Sequence, residues 1–268
     1  MKKILFPTDF SKNAYNSLAY AIDLANRFGC ELTLLHTYRV YSSAGSFVSV
    51  ESYMKEDAAK DMLDLIEKVE PQLKNGAVAN SKIVKGDTVN LIVNIAEQSE
   101  YDLIVMGTQG ASGLEEVFIG STTNGVLKRT EVPVLAIPAG FEFRPIKSIA
   151  LAVDEKDQFG NGALDAVLEI AKANDAMIRV YHKDENKDGL NTAIDPYLEG
   201  LERTYHYELD TENLSESLNK FVAEHNSDLL CMIRRKRGAL ENIFHESATT
   251  KKAFNTPVPL LILQEGEK

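Results

Sequence analysis

The sequence is poor in cysteine, lacks tryptophan and holds no long unbroken hydrophobic run. Two cysteines in 268 residues, Cys30 and Cys231, exclude a disulfide-dense secreted scaffold. Each lies beside apolar residues in a strand-like context and reads as a small buried core residue of a reduced compartment, with a single Cys30–Cys231 disulfide as the alternative. No stretch approaches the roughly 20 apolar residues of a membrane-spanning helix. The apolar run in MKKILFPTDF is short and interrupted by Pro7 and Asp9, which is unlike a secretory leader. Basic residues are also in deficit. With 29 against 40 acidic residues the net charge is -11, so the surface as a whole repels nucleic acid and anionic membranes. The P-loop is missing, because Gly-Lys-Ser/Thr occurs nowhere.

What remains is ordinary globular material, 44% hydrophobic and 26% charged, and long enough for one or two domains. Internal similarity favours two. KKILFPTDF is echoed by KSIALAVDE, pairing Asp9 with Asp154 at an offset of 145. LAYAIDLANRFGCELTLLHT matches LDAVLEIAKANDAMIRVYHK and pairs His36 with His182 at 146. YDLIVMGTQGASGLEEVFIGST lies over SDLLCMIRRKRGALENIFHESA at 126, with Met106 on Met232 and Ser121 on Ser247. The offset falls because the second copy lacks part of the region after its second strand. Pro138, Gly140 and Pro145 break regular structure between the copies, which sets two domains at 1–140 and 146–268.

In the first copy, KILFP is a buried-type strand and Asp9 or Ser11 can cap a helix reaching about Phe28. ELTLLHT is a second strand. A helix near 50–73 follows, with Ala59, Met62, Leu63 and Ile66 at helical spacing, then a strand near 79–84 and a helix after Gly86-Asp87-Thr88. DLIVMG is a fourth strand, and a helix over about 120–130 precedes a last strand, PVLAI. Alternating strands and helices specify an α/β fold with a parallel sheet covered on both faces. Ligands bind such sheets at the carboxyl ends of the strands, where the strand order reverses.

The stretch MGTQGASGLEEVFIGST concentrates glycine at such an end. Gly107 closes the fourth strand, Gly110 lies in the loop, and Gly120 precedes Ser121, Thr122 and Thr123 at a helix start. Unpaired N–H groups in a first helical turn suit phosphate oxygens, glycine lets a ligand approach the backbone, and the Ser121 and Thr122 hydroxyls add donors. The alternative is that Gly107 and Gly110 shape a turn and Ser121 caps a helix. The spacing is not the dinucleotide fingerprint.

The order Gly, two residues, Gly, nine residues, Gly, then Ser or Thr resembles the nucleotide-binding signature of the universal stress protein family. The opening KKILFPTDFS, the LLHT strand and the closing VPVLAIP resemble that family in the same order. The resemblance spans the first half, and the second half is similar in framework, so the chain resembles a tandem member. The resemblance implies open five-stranded sheets of order 3-2-1-4-5 and a site for ATP or a related adenine nucleotide such as AMP or ADP. In that site Asp9 borders the adenosine with Pro7 and Thr8, and Thr37 closes the adenine side. Gly107 lies beside the ribose with Met106 among the binding residues, and Gly110, Gly120, Ser121 and Thr122 hold the phosphates. Magnesium often accompanies the phosphates in this family, yet no protein ligand set for it is evident. A helix N-cap is the structural alternative for Asp9.

The second copy replaces Gly107 by Ile233, Gly110 by Lys236 and Gly120 by Glu246, and Pro7-Thr8 by Ala152-Val153. Added bulk and a misplaced carboxylate make it a degenerate nucleotide site. The run Arg234 to Arg237 reads as a solvated charged surface, with anion binding or docking of an acidic partner as the rival. His36 and His182 at equivalent strand ends suggest a structural role, and His206, His225 and His245 show no ligand spacing. Glu115 and Glu116 read as solvent-facing. No nucleophile, base and orienting group assemble. The expectation is a cytoplasmic stress-response protein that senses an adenine nucleotide and acts on an unidentified protein partner, without nucleic acid or membrane. The resemblance also implies that its halves pair through VPVLAI and VPLLIL as an intramolecular pseudo-dimer. A nucleotide-independent scaffold and a slow ATPase are the alternatives.

Overall fold

The computed structural model describes residues 1–40, 47–109, 119–154, 157, 159–160, 162–184, 192–209, 214–235 and 256–265. The chain divides into two compact units between Val132 and Pro133.

The first unit is a parallel sheet flanked by helices. Its elements are β1 (Lys3–Pro7), α1 (Lys12–Phe28), β2 (Glu31–Tyr38), α2 (Phe47–Val69), β3 (Val78–Lys85), α3 (Thr88–Gln98), β4 (Leu103–Gly107) and α4 (Ser121–Arg129), with a 3-10 turn at Glu70–Gln72 after α2. The strand order is β3-β2-β1-β4, and β1 pairs in parallel with both β2 and β4, Ile4 facing Leu32 on one side and Leu103 on the other. Ile4, Leu5, Leu32, Leu34, Ile104 and Val105 are at most 0% exposed, as continuous apolar runs must be when helices cover both faces. The edge strand β3 is mostly exposed.

Local chemistry sets the helix ends. The Ser11 hydroxyl accepts the Ala14 N–H at 3.2 Å and caps α1, and Gly29 ends it at φ +59°. A Cβ at Gly29 would stand 2.6 Å from the Asn75 carbonyl oxygen, so both conformation and space demand glycine. Asp87 caps α3 by accepting the Asn90 N–H at 2.9 Å.

The second unit opens with β5 (Val134–Ile137), the last strand of the first repeat, which pairs antiparallel with β10 (Leu260–Gln264), Leu135 facing Leu261. Residues 138–147 carry no helix or strand. The remaining elements repeat the first unit: β6 (Ser148–Val153), α5 (Asp165–Asn174), β7 (Met177–Asp184), β8 (Arg203–Leu209), α6 (Leu214–Glu224), β9 (Leu229–Arg234) and β10. The order β8-β7-β6-β9-β10 is the expected 3-2-1-4-5, parallel throughout. A short 3-10 segment, Thr192–Leu198, stands where the first unit has α2, which accounts for the falling repeat offset. Cys30 and Cys231 are free and buried; burial pushes the Cys30 thiol up to about 11 and the Cys231 thiol well above its ordinary value. No described helix is long and apolar enough to cross a membrane.

Candidate functional site

The strand order of the first unit reverses between β1 and β4, and a cleft of about 190 Å³ opens there. One wall is Pro7, Thr8 and Asp9, leaving the carboxyl end of β1. Thr8 N–H donates to the Leu35 carbonyl at 2.8 Å, continuing the ladder past the strand. Thr8 Oγ1 accepts the Phe10 N–H and Asp9 Oδ1 accepts the Ser11 N–H, each at 3.0 Å. These turns hold Phe10 at φ +59°, a conformation uncommon outside glycine. Its ring stacks on His36, centroids 4.5 Å apart. The Asp9 carboxylate is therefore engaged one residue ahead of the helix, and Ser11 rather than Asp9 is the N-cap.

The second wall comes from β2 and α3. Thr37 lines the cleft within β2, and its hydroxyl donates to Thr88 Oγ1 at 2.9 Å. Leu35, Ile92 and Ala14 supply apolar surface. Arg39 and Asp87 form an ion pair close by in sequence, each about half exposed.

The third wall is the end of β4 with the start of α4: Met106, Gly107, Gln109, Thr122 and Thr123. Thr123 Oγ1 donates to the Gly107 carbonyl at 2.8 Å, and Gly120 N–H to the Thr108 carbonyl at 2.5 Å. Asn124 N–H takes the Gly120 carbonyl at 2.9 Å, so the N–H groups of Ser121, Thr122 and Thr123 have no acceptor within the helix. With the dipole of α4 they give this wall a positive character without a basic side chain. A Cβ on Gly120 would lie 2.9 Å from the Thr108 carbonyl oxygen, and one on Gly107 3.3 Å from that of Asn13. The space that glycine leaves at these two positions is therefore filled by the protein's own backbone.

Of the residues singled out in the sequence, Pro7, Thr8, Asp9, Thr37, Met106, Gly107 and Thr122 come together on one cleft. Gly120 and Ser121 stand at the head of α4 and are not among its lining residues. Gly110, Glu115 and Glu116 lie outside the described residues, as do Lys236, Glu246, Ser247 and His245 of the second copy. Sequence reading missed Gln109 and Thr88 as cleft residues and placed Thr123 only at a helix start. Thr88 and Thr123 carried a signal, each being a hydroxyl in the first turn of a helix at the carboxyl end of the sheet. Among the described residues no group of three or more His, Cys, Asp or Glu could hold a metal.

One expectation for the second unit changes. Arg235 is not a solvated charge: its side chain is 10% exposed and is paired with Asp154 and Asp157. His206 and His225, unrelated by sequence spacing, bring their rings to 4.4 Å and pack on Phe221. Burial, with His225 and Arg179 nearby, pushes the His206 pKa down.

An open parallel α/β sheet with a cleft at its switch point defines a ligand-binding class of doubly wound proteins. Residues 1–138 match the model of the universal stress protein family, and the chain belongs to that family. The universal stress protein MJ0531 of Methanocaldococcus jannaschii is 31% identical over 51% of this chain and 81% of its own length. MJ0577 of the same organism is 31% identical over 51% of this chain and 94% of its own. A universal stress protein from Archaeoglobus fulgidus shares the fold across both units, with a TM-score of 0.74 and 22% identity over 99% of this chain and 97% of that one.

Proposed function

We propose that the first unit binds an adenine nucleotide, ATP or its AMP or ADP relatives, in the cleft between β1 and β4, and that occupancy regulates a cytoplasmic stress response. The observation that carries this reading is what meets on one cleft: Thr122 and Thr123 from the first turn of α4, whose N–H groups lack acceptors within the helix, together with Leu35, Ile92 and Ala14 as apolar surface for a flat base. Thr8 and Asp9 border the nucleoside, Thr37 the base, and Met106 and Gly107 the ribose; Gly110, Gly120, Ser121 and Thr122 serve the phosphates. At about 190 Å³ the cleft is smaller than the roughly 300–1,000 Å³ of pockets that enclose a drug-sized ligand. It therefore takes the nucleoside, and the phosphates run out along the head of α4.

Asp9 is the carboxylate on the cleft wall. Magnesium arriving with ATP would offset the phosphate charge, and among the described lining residues Asp9 is the carboxylate that could face it. Two repeats, 1–140 and 146–268, make a tandem protein in which only the first copy serves nucleotide, and the antiparallel β5–β10 pairing supports an intramolecular pseudo-dimer. Its effector is a protein partner.

Denaturing extraction of the purified chain, read by chromatography for adenine nucleotides, tests this reading. Recovered nucleotide that disappears in Thr37→Arg, with the fold intact by circular dichroism, is the expected result. Absence of nucleotide and of ATP binding favours the scaffold, and turnover well above background favours an ATPase.

A further inference from the structure

The carboxyl end of β6 is built differently from that of β1. By the repeat offsets Asp154 corresponds to Asp9 and Arg235 to Gln109, both of which line the first cleft. In the second unit the strand order reverses between β6 and β9, and Arg235 directly follows β9. Its Nη2 donates to Asp154 Oδ2 at 2.9 Å, and its Nε lies 3.3 Å from Asp157 Oδ1. The Arg235 and Asp157 side chains are 10% and 5% exposed. Asp157 is itself fixed, its Oδ2 accepting the Asp154 N–H at 2.7 Å while its own N–H donates to the Asp154 carbonyl at 3.0 Å. A planar guanidinium with forked donors suits two carboxylates held this way, and charged side chains are rarely so buried unless paired.

We propose that Arg235 is the internal ligand of the second crevice: its guanidinium, clamped by Asp154 and Asp157, closes the position that the first unit leaves open. The crevice thereby selects a guanidinium cation and excludes a nucleotide. Arg235 is already engaged by both aspartates, and the clamp ties the β6 loop to the end of β9. Burial pushes the Asp157 carboxyl up to about 7, against the pull of the Asp154 backbone and of Arg235 and with the push of Asp154 and Glu265. Loss of Arg235 leaves that group without its cation. Exclusion of nucleotide rests on the reading of the first cleft given above; the clamp itself stands on the geometry of the second unit alone.

The test uses the full chain at a pH where Asp157 is ionised. Arg235→Gln lowers the unfolding temperature, and most of the loss disappears when Asp157→Asn is added; an absent or simply additive loss overturns the clamp. Methylguanidinium raises the unfolding temperature of Arg235→Ala and leaves Arg235→Ala/Asp157→Asn unmoved; an equal response in both contradicts a selective site. Where the truncated variants fail to fold, Arg235→Lys decides, since one ammonium cannot serve both carboxylates: intermediate stability supports the clamp and wild-type stability overturns it. ATP titration of the same proteins reports the first cleft separately. Failure of the wild type to bind ATP counts against that cleft's reading and leaves the clamp standing.

Discussion

His36 donates from Nδ1 to the carbonyl of Thr8 at 2.9 Å, pinning the loop after β1 to the end of β2. The second repeat preserves the device, His182 donating from Nδ1 to the Val153 carbonyl at 3.0 Å. His36→Ala removes this bond together with the Phe10 stack, and we expect it to cost roughly 1–2 kcal/mol in denaturant unfolding and to weaken ATP binding through displacement of Thr8. An unchanged denaturation midpoint refutes the pin.

The hydroxyl of Thr123, 3% exposed, holds the head of α4 to the end of β4 through the Gly107 carbonyl. Thr123→Val keeps the shape and leaves that carbonyl short of a partner, at an expected cost of about 1–3 kcal/mol. Thermal melts of Thr123→Val and Thr123→Ser measure it, and the serine variant retains most of the stability.

Glycine is required at position 120 by the Thr108 carbonyl. Gly120→Ala forces a shift to relieve a 2.9 Å approach, whereas Gly107→Ala meets Asn13 at a gentler 3.3 Å. The first is expected to destabilise by about 1–3 kcal/mol and the second by less. The reverse ranking in calorimetry contradicts the close approach.

Asp157 links stability to pH. Its folded pKa, about 7, lies above the usual 3.8 because of burial, so the folded state holds its proton more tightly than the unfolded chain. Its contribution is therefore greatest in acid, declines as pH rises through this window, and levels off above about 7. The change is on the order of a few kcal/mol. Unfolding curves of wild type and Asp157→Asn across the window should differ in slope, the variant lacking this decline. Parallel curves argue against the buried carboxyl.

The strands β1, β2 and β4 were legible because burial on both faces leaves uninterrupted apolar runs, and α1 because Ser11 and Gly29 mark its ends. The repeat told which strands correspond, and its falling offset marked where, among the described residues, a short 3-10 segment stands in place of α2. The cleft was legible only through its glycine and hydroxyl pattern. Thr88 carried only the signal of a first-turn hydroxyl, and Gln109 escaped because lining a cleft depends on which strand ends lie side by side, which local spacing does not encode. Arg235 was misread for the same reason: a basic run reveals its charge, and only the fold reveals two aspartates beside it. His206 and His225 meet across β8 and the end of α6, a contact without a sequence period.

The central claim is one adenine nucleotide per chain, held in the first cleft. Thr122→Glu tests it sharply, because a carboxylate in the first turn of α4 suits the helix dipole while occupying the place of a phosphate. Isothermal titration of nucleotide-stripped protein with ATP and magnesium should give one site per chain, abolished in Thr122→Glu with the melting temperature unchanged. Absent binding, two sites, or full binding by a folded Thr122→Glu protein would contradict the account.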